Sequence, residues 1–145
     1  MNDPEIAILL QKEHDRQTNT VNLIASENYV SSDVSEALAS DFGNKYAEGY
    51  PGARYYAGNT VVDELELLTQ KRALATFLLP EDVWSVNVQS LSGSPANLAA
   101  YKALIPIGEK IMALALDQGG HLSHGHTASA TGTWWKPIYY IWDSF

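Results

Sequence analysis

The alternation of apolar and polar positions along the chain predicts four helices. Apolar residues recur at helical spacing behind Asp3 and Pro4, which suit an N-cap and a first helical position. Equivalent spacing, with its own start and stop signals, recurs three more times. The last helix is predicted to have Ser94 as its N-cap and Pro95 at its first position. The predicted helices cover residues 4–17, 32–42, 60–80 and 94–106.

Three segments have the pattern of strands. Residues 83–89 alternate, with Trp84, Val86 and Val88 on one side, and residues 111–116 are apolar throughout, as in a buried parallel strand. A third strand region is predicted within 134–142. Helices and strands thus follow a βαβ-type order, which predicts an α/β architecture with a largely parallel sheet. Because the chain stops just after the third strand region, we expect a truncated domain.

Composition and charge restrict the classes of protein that fit this pattern. The 145 residues are 46% hydrophobic and 18% charged, as in one globular domain rather than a disordered or fibrous chain. Nine Lys and Arg against 17 Asp and Glu give a net charge of −8, so nucleic acid is not an expected partner. The chain has no cysteine and no run of about 18 apolar residues, so neither thiolate chemistry nor membrane insertion is expected.

Ser92, Gly93 and Ser94 stand where the strand predicted at 83–89 gives way to a helix. A helix N-terminus offers N–H groups and the positive end of a dipole, and the hydroxyls add donors, so the segment is a candidate phosphate cradle. A serine N-cap after a tight turn has the same sequence features. The residues alone leave both interpretations open.

A glycine-rich segment with three histidines, residues 119–126, follows the strand predicted at 111–116. Ligand sites of parallel sheets lie beyond the carboxyl ends of the strands, which favours a functional role for His121, His124 and His126. No carboxylate accompanies them at a typical ligand spacing, so a metal site is not predicted. A solvated surface loop is the alternative interpretation.

Residues 43–58 combine tyrosines and glycines with Glu48 and Arg54, a composition typical of an irregular functional loop. A carboxylate between phenols could act as an acid or base, and Arg54 could anchor a carboxylate or phosphate. Tyrosine and arginine are also enriched at dimer interfaces. Both interpretations stay open on the composition of this loop.

Four segments, taken in their order and spacing, resemble serine hydroxymethyltransferases. They are residues 23–31 (LIASENYVS), 44–52 with 54–56 (NKYAEGYPG and RYY), 87–89 with 92–97 (NVQ and SGSPAN) and 119–125 (GGHLSHG). The resemblance covers nearly the whole chain but only the N-terminal part of the family's longer subunit. It implies a truncated pyridoxal-phosphate-dependent transferase of the aspartate-aminotransferase-like fold, fold type I. Residues 1–58 would then form an N-terminal helix and interface loop, and 59–145 the beginning of the large cofactor-binding domain.

The resemblance also implies an activity and a cofactor site. The family moves the hydroxymethyl carbon of serine to tetrahydrofolate and leaves glycine, with pyridoxal 5′-phosphate as the cofactor. By the family's pattern, Ser92, Gly93 and Ser94 would hold the cofactor phosphate, and His121 would stack on the pyridine ring. Glu48 would handle the proton on the substrate hydroxyl or on the folate.

The remaining site residues implied by the resemblance belong to the substrates and to a dimer interface. Ser26 would lie near the substrate carboxylate, while Tyr46, Glu48 and Tyr56 would reach into the neighbouring subunit's site. We expect Glu48, His121 and Tyr56 to be catalytic and Tyr46 to contact the cofactor. The residues expected to contact the folate are Leu116, Gly120 and Leu122.

The implied partners are serine, glycine, tetrahydrofolate and a second copy in a homo-oligomer, without nucleic acid or membrane. We expect a cytoplasmic or mitochondrial location and favour the cytoplasm because no presequence is seen. The family's Schiff-base lysine lies beyond Phe145 in its pattern, so this chain is expected to be an incomplete, inactive portion. One alternative is a non-catalytic chain that binds a full-length subunit through the loop at 43–58. Another is a bare phosphate-binding domain.

Overall fold

The computed structural model describes residues 2–142, in which helices and strands are mixed along the chain. These residues form two compact units, an N-terminal unit of residues 2–49 and 54–59 and a C-terminal unit of residues 50–53 and 60–142. The helices are α1 (Pro4–Asn19), α2 (Ser32–Leu38), α3 (Thr60–Thr76), α4 (Gly93–Leu104) and α5 (Ala130–Trp134). The strands are β1 (Gly49–Tyr50), β2 (Ala53–Arg54), β3 (Lys110–Leu114) and β4 (Lys136–Tyr140).

Helix α1 of the N-terminal unit begins where the sequence predicts, because the Asp3 carboxylate accepts two backbone N–H groups of its first turn. The Arg16 guanidinium donates to both carboxylate oxygens of Glu13, at 2.8 and 2.6 Å. This pairing, with a second hydrogen bond from the Gln17 amide, lowers the pKa of Glu13 from 4.5 to about 2. No residue of α1 is buried, so these contacts support the helix from its solvent side.

The predicted helix at 32–42 is shorter in the structure. Helix α2 ends at Leu38, and a 3₁₀ turn at Asp41–Asn44 follows. The N–H of Ala39 bonds to the carbonyl of Ser35 at 3.0 Å, and the Ser40 hydroxyl bonds back to the carbonyl of Ala37 at 2.7 Å. A serine that hydrogen-bonds the preceding turn competes with helix continuation, which accounts for the early end of α2.

The C-terminal unit is built around a parallel strand pair. Strand β3 pairs with β4 in the register that sets Lys110 opposite Lys136 and Leu114 opposite Tyr140. This finding confirms the parallel pairing predicted from the sequence. The predicted strands at 111–116 and within 134–142 correspond to β3 and β4, except that Leu116 begins a 3₁₀ turn and Trp134 closes α5.

Side chains on successive residues of β3 point to opposite faces of the pair. Ile111 and Ala113 are buried, with 4% and 6% of their surface exposed, and Trp135 between α5 and β4 is 2% exposed. Met112, on the other face, is 73% exposed. One face of the pair is therefore covered within the described residues, and the other carries apolar side chains that are open to solvent.

The prediction of a strand at 83–89 is wrong, since this segment is irregular in the structure. The predicted alternation survives in its burial, because Val86 and Val88 are half-buried while their neighbours are exposed. The Gln89 amide donates to the Glu66 carboxylate of α3 at 2.8 Å. A strand needs a partner for its backbone groups, and no strand of residues 2–142 pairs with this segment.

The predicted helix at 60–80 begins at Thr60 as expected but ends at Thr76. The N–H of Leu79 donates to the carbonyl of Leu74 at 2.9 Å, and that of Leu78 to the carbonyl of Ala75 at 3.1 Å. These two bonds form a Schellman C-cap, which requires a left-handed residue at the C′ position, the donor of the second bond. Leu78 fills this position with φ 55°, a conformation that normally belongs to glycine.

Replacing this leucine by glycine is expected to stabilise the C-terminal unit. Leu78→Gly should raise the free energy of unfolding by about 1 kcal/mol, because a left-handed non-glycine residue costs that much and the Leu78 side chain is 90% exposed. Leu91→Gly is the matched control, since Leu91 is 93% exposed without a left-handed φ. Urea unfolding followed by tryptophan fluorescence measures both variants. An equal loss of stability in the two would contradict strain at Leu78.

Candidate functional site

The histidine loop, residues 119–126, begins beyond the carboxyl end of β3 and turns back against that strand. Gly119 takes φ 97°, and the N–H of Gly120 donates to the carbonyl of Ala115 at 2.9 Å. A Cβ on Gly120 would collide with the carbonyl oxygen of Leu114 and would lie 2.9 Å from that of Ala115. The close turn therefore depends on a glycine at position 120.

Side chains of α5 and β4 hold the backbone of the histidine loop. Thr131 of α5 is 2% exposed, and its hydroxyl donates to the carbonyl of Ser123 and accepts the N–H of Gly125, both at 2.9 Å. The Tyr139 hydroxyl of β4 donates to the carbonyl of Gly125 at 2.6 Å. These bonds fix an irregular segment that has no strand ladder of its own.

The three histidines do not converge. The rings of His121 and His124 meet edge to face at 6.0 Å, and the Tyr101 hydroxyl of α4 lies 2.9 Å from His124 Nδ1. His126 is separate, with its Nδ1 accepting the N–H of Ala128 at 3.1 Å. Within residues 2–142, no three His, Asp or Glu side chains are grouped as metal ligands would be.

His121 and His124 line an open cleft of about 470 Å³, here called the histidine cleft, together with Tyr101, Gly120 and Tyr140. A second cleft of about 400 Å³, the serine cleft, lies between the start of α4 and the segment 122–131 and is lined by Ser94 and Leu122. The three residues expected to contact folate are thus dispersed. Gly120 lines the histidine cleft, Leu122 lines the serine cleft, and Leu116 lies in a 3₁₀ turn with 44% exposure.

Helix α4 starts earlier than predicted, since Ser92 is its N-cap and Gly93 its first residue. The prediction of Ser94 as N-cap is therefore wrong. Proline is tolerated throughout a first helical turn, whose N–H groups have no intrahelical partner, so Pro95 sits in the third position without breaking the helix.

The start of α4 has the donor chemistry of an anion site. Ser92 makes no capping hydrogen bond through its side chain, unlike a typical serine N-cap, and neither its hydroxyl nor that of Ser94 is bonded by another residue of 2–142. A Cβ on Gly93 would meet no atom within 4 Å, so the space in front of the helix is open. Two hydroxyls and the first N–H groups of a 12-residue helix fit a phosphate group.

Arg54 and Asn59 of the N-terminal unit hold the backbone of the tyrosine loop, residues 44–56, of which residues 50–53 belong to the C-terminal unit. Arg54 Nη1 donates to the carbonyl oxygens of the two residues that flank Glu48, at 2.7 and 2.8 Å. Asn59 is 4% exposed, and its Nδ2 donates to the carbonyls of Tyr46 and Tyr56, at 3.1 and 2.9 Å. The backbone of the loop is thus fixed on both sides of the glutamate.

The side chains of this loop face solvent. Glu48 is exposed, and Tyr46 and Tyr56 are 71% and 51% exposed with their ring centroids 5.6 Å apart. Ser26 lies in a separate exposed turn that is closed by a bond from the N–H of Glu27. The structure therefore brings Tyr46 and Tyr56 together, with the N–H of Tyr55 bonded to the Glu48 carbonyl at 3.1 Å, and places Ser26 on another segment of the unit.

Four residues that support these loops were missed by the sequence analysis. Their hydrogen bonds join positions that are up to 26 residues apart, so no local spacing pattern indicates them. Small polar residues close to a predicted site were the one available signal. The missed residues are Asn59, Asn97, Ser123 and Thr131.

Comparison with known proteins identifies the family. The family model described as serine hydroxymethyltransferase matches residues 1–144. The chain belongs to the serine hydroxymethyltransferase family. This match confirms the resemblance carried by the four sequence segments.

Curated serine hydroxymethyltransferases match almost all of this chain. The cytosolic enzyme of Saccharomyces cerevisiae is 48% identical over 143 residues, which are 95% of this chain and 30% of that protein. The cytosolic enzyme of Eremothecium gossypii is 51% identical over 97% of this chain, and the serine hydroxymethyltransferase of Caenorhabditis briggsae is 50% identical over 98%. The chain spans about 30% of the length of these relatives.

A side chain at position 120 is expected to disrupt the histidine loop. Gly120→Ala should lower the free energy of unfolding by about 1–3 kcal/mol, because its Cβ has no room between two backbone carbonyls. Gly93→Ala is the matched control for stability and should leave it unchanged or slightly higher, since the added Cβ meets open space. Urea titrations of both variants measure the difference. Equal stabilities of the two variants would contradict the close contact at Gly120.

Proposed function

We propose that this chain functions as part of a serine hydroxymethyltransferase, which interconverts serine and glycine and transfers a one-carbon unit to tetrahydrofolate with pyridoxal phosphate as cofactor. The family match over residues 1–144 carries the proposal. Because the chain spans about 30% of its relatives, the activity is proposed for the whole protein. The proposal includes fold type I and a homo-oligomer. It also includes a cytoplasmic location, because the names of the Saccharomyces cerevisiae and Eremothecium gossypii relatives call those proteins cytosolic.

Residues 92–94 would hold the cofactor phosphate. The Ser92 and Ser94 hydroxyls and the first N–H groups of α4 lie at the positive end of the helix, where they would donate to an anion. Gly93 allows the phosphate to approach the backbone, since no atom lies within 4 Å of its missing Cβ. Support for this role over simple capping comes from Ser92, whose side chain makes no cap hydrogen bond.

His121 would present its ring face to the pyridine ring of the cofactor. The ring is exposed at the histidine cleft and anchored through Nδ1, and within residues 2–142 its one aromatic neighbour is His124, in an edge-to-face pair at 6.0 Å. When bound, pyridoxal phosphate supplies the electron sink that takes up negative charge developed at the substrate Cα. Leu116, Gly120 and Leu122 would contact the folate from the segments on which they lie.

Glu48 would hold and move the proton on the substrate hydroxyl or on the folate, at its carboxylate oxygens. Arg54 supports this role by fixing the carbonyls on either side of Glu48, so that the exposed side chain projects from a rigid backbone. Tyr46 and Tyr56 would act beside it across a dimer interface, Tyr46 on the cofactor and Tyr56 on the substrate. Ser26 would lie near the substrate carboxylate.

The cradle is tested by binding of pyridoxal phosphate to the 145-residue chain, followed by absorbance and equilibrium dialysis. Ser94→Ala should weaken binding about tenfold, the effect of losing one hydrogen bond to a charged group. Ser90→Ala, an exposed serine outside the helix, is the matched control and should bind as the unaltered chain does. Pyridoxal, which has no phosphate, should bind still more weakly than the phosphate ester. Equal affinity of Ser94→Ala and the control would contradict the cradle.

A second candidate function is binding to a full-length subunit through the tyrosine loop. The exposed phenol rings favour it, since Tyr46, Tyr50 and Tyr55 are 71%, 60% and 81% exposed and such rings are enriched at interfaces. The unaltered chain should co-purify with the tagged Saccharomyces cerevisiae enzyme, and Tyr55→Ala should reduce the recovered amount severalfold. Absence of co-purification at micromolar concentrations of both proteins would contradict this function.

A further inference from the structure

A short hydrogen-bonded chain runs from α4 to the ring of His121. Asn97 Nδ2 donates to Ser123 Oγ at 2.7 Å, and Ser123 Oγ lies 2.7 Å from His121 Nδ1. Ser123 is 3% exposed and Asn97 half-buried, whereas His121 is exposed. The ring therefore lines the histidine cleft and is held from behind by the buried Ser123 and the half-buried Asn97.

The chemistry of Asn97, Ser123 and His121 determines which group donates and which accepts in these hydrogen bonds. The amide nitrogen of Asn97 can only donate, so Ser123 Oγ accepts from it and directs its own single proton elsewhere. His121 Nδ1 is the acceptor within reach, and it also accepts the backbone N–H of Ser123 at 3.2 Å. A ring nitrogen that accepts two hydrogen bonds carries no proton. In the neutral ring, the proton therefore resides on Nε2.

We propose that Asn97 is a positioning residue, which acts through the Ser123 hydroxyl to hold His121 as its Nε2–H tautomer with a fixed ring orientation. The inference rests on the proposed function, in which the face of His121 contacts the cofactor ring. Without these contacts, the His121 side chain could adopt several rotamers in an open cleft of about 470 Å³. With Nδ1 held by two donors from one residue, rotation of the ring breaks both bonds. The ring face is thereby positioned before any ligand binds.

Exchanging the Asn97 amide for a carboxylate reverses the direction of the hydrogen bonds that link residue 97, Ser123 and His121. In Asn97→Asp, the Ser123 hydroxyl donates its hydrogen bond to the carboxylate. Ser123 Oγ can then only accept from His121, so the Nδ1–H tautomer becomes favoured. The Nε2–H to Nδ1–H ratio should fall about tenfold, the effect of one hydrogen bond. Ser123→Ala should also reduce the ratio, because it removes the link. Asn87→Asp is the matched control, since the Asn87 carbonyl only accepts the N–H of Gln89, which a carboxylate also does.

The measurement is nitrogen NMR of the 145-residue chain with labelled histidine, at a pH where the imidazoles are neutral. The expected result is an unprotonated Nδ1 in the unaltered chain and in Asn87→Asp, with a shift towards protonated Nδ1 in Asn97→Asp. A protonated Nδ1 in the unaltered chain would overturn the proposal even if every variant failed to fold. An unchanged ratio in a folded Asn97→Asp would overturn it equally. A merely structural role would change the unfolding midpoint without changing the tautomer.

Pyridoxal phosphate titrations separate this proposal from the proposed function. If Asn97 positions His121 toward the cofactor, Asn97→Asp should weaken binding of pyridoxal phosphate about tenfold relative to Asn87→Asp. An altered tautomer in a chain that binds no pyridoxal phosphate would keep the positioning role and remove the cofactor assignment. Normal binding of pyridoxal phosphate by Asn97→Asp with an altered tautomer would keep the cofactor site and overturn the positioning role toward it.

Discussion

The Thr131 hydroxyl makes the contact on which the histidine loop depends. A loop that follows a buried strand carries backbone N–H and C=O groups without a ladder, and each buried group needs a partner. Thr131 satisfies one of each, on Gly125 and Ser123, from a position only 2% exposed. Because Thr131 belongs to the segment that links β3 to β4, the loop beyond β3 is tied to the connection that makes the strand pair parallel.

The strand pair is joined beyond its ladder at both ends, which sets where this loop can lie. Before β3, the N–H of Gly108 donates to the carbonyl of Trp134 at 2.8 Å. After β3, the N–H of Ala115 donates to the carbonyl of Tyr140 at 3.1 Å. The carboxyl ends of β3 and β4 therefore coincide. The chain must leave β3 through a turn tight enough to keep residues 119–126 against that end, and Gly120 supplies it.

The sequence predicted the helices well where capping and periodicity agree, as at Asp3 and Thr60, and it predicted the parallel pairing of β3 and β4. The strand prediction failed at 83–89. Alternation indicates only that one side of the segment is buried, as Val86 and Val88 partly are, whereas a strand also needs a partner for its backbone. The family's motifs indicated His121 and Glu48. They also contain Asn97 and Ser123, but they could not indicate the hydrogen bond between these two residues, since it joins distant positions through tertiary packing.

The two candidate loops use the same physical arrangement. In each, the side chain expected to do chemistry is exposed, while buried polar groups hold the backbone or ring behind it. Asn59 illustrates what this arrangement costs, because its Oδ1 is buried with no hydrogen-bond partner among residues 2–142. Such an atom costs roughly 1–3 kcal/mol. Nδ2 of the same Asn59 amide donates to the carbonyls of Tyr46 and Tyr56, near the two ends of the tyrosine loop. The unpaired Oδ1 is therefore retained because Nδ2 fixes the backbone that carries Glu48.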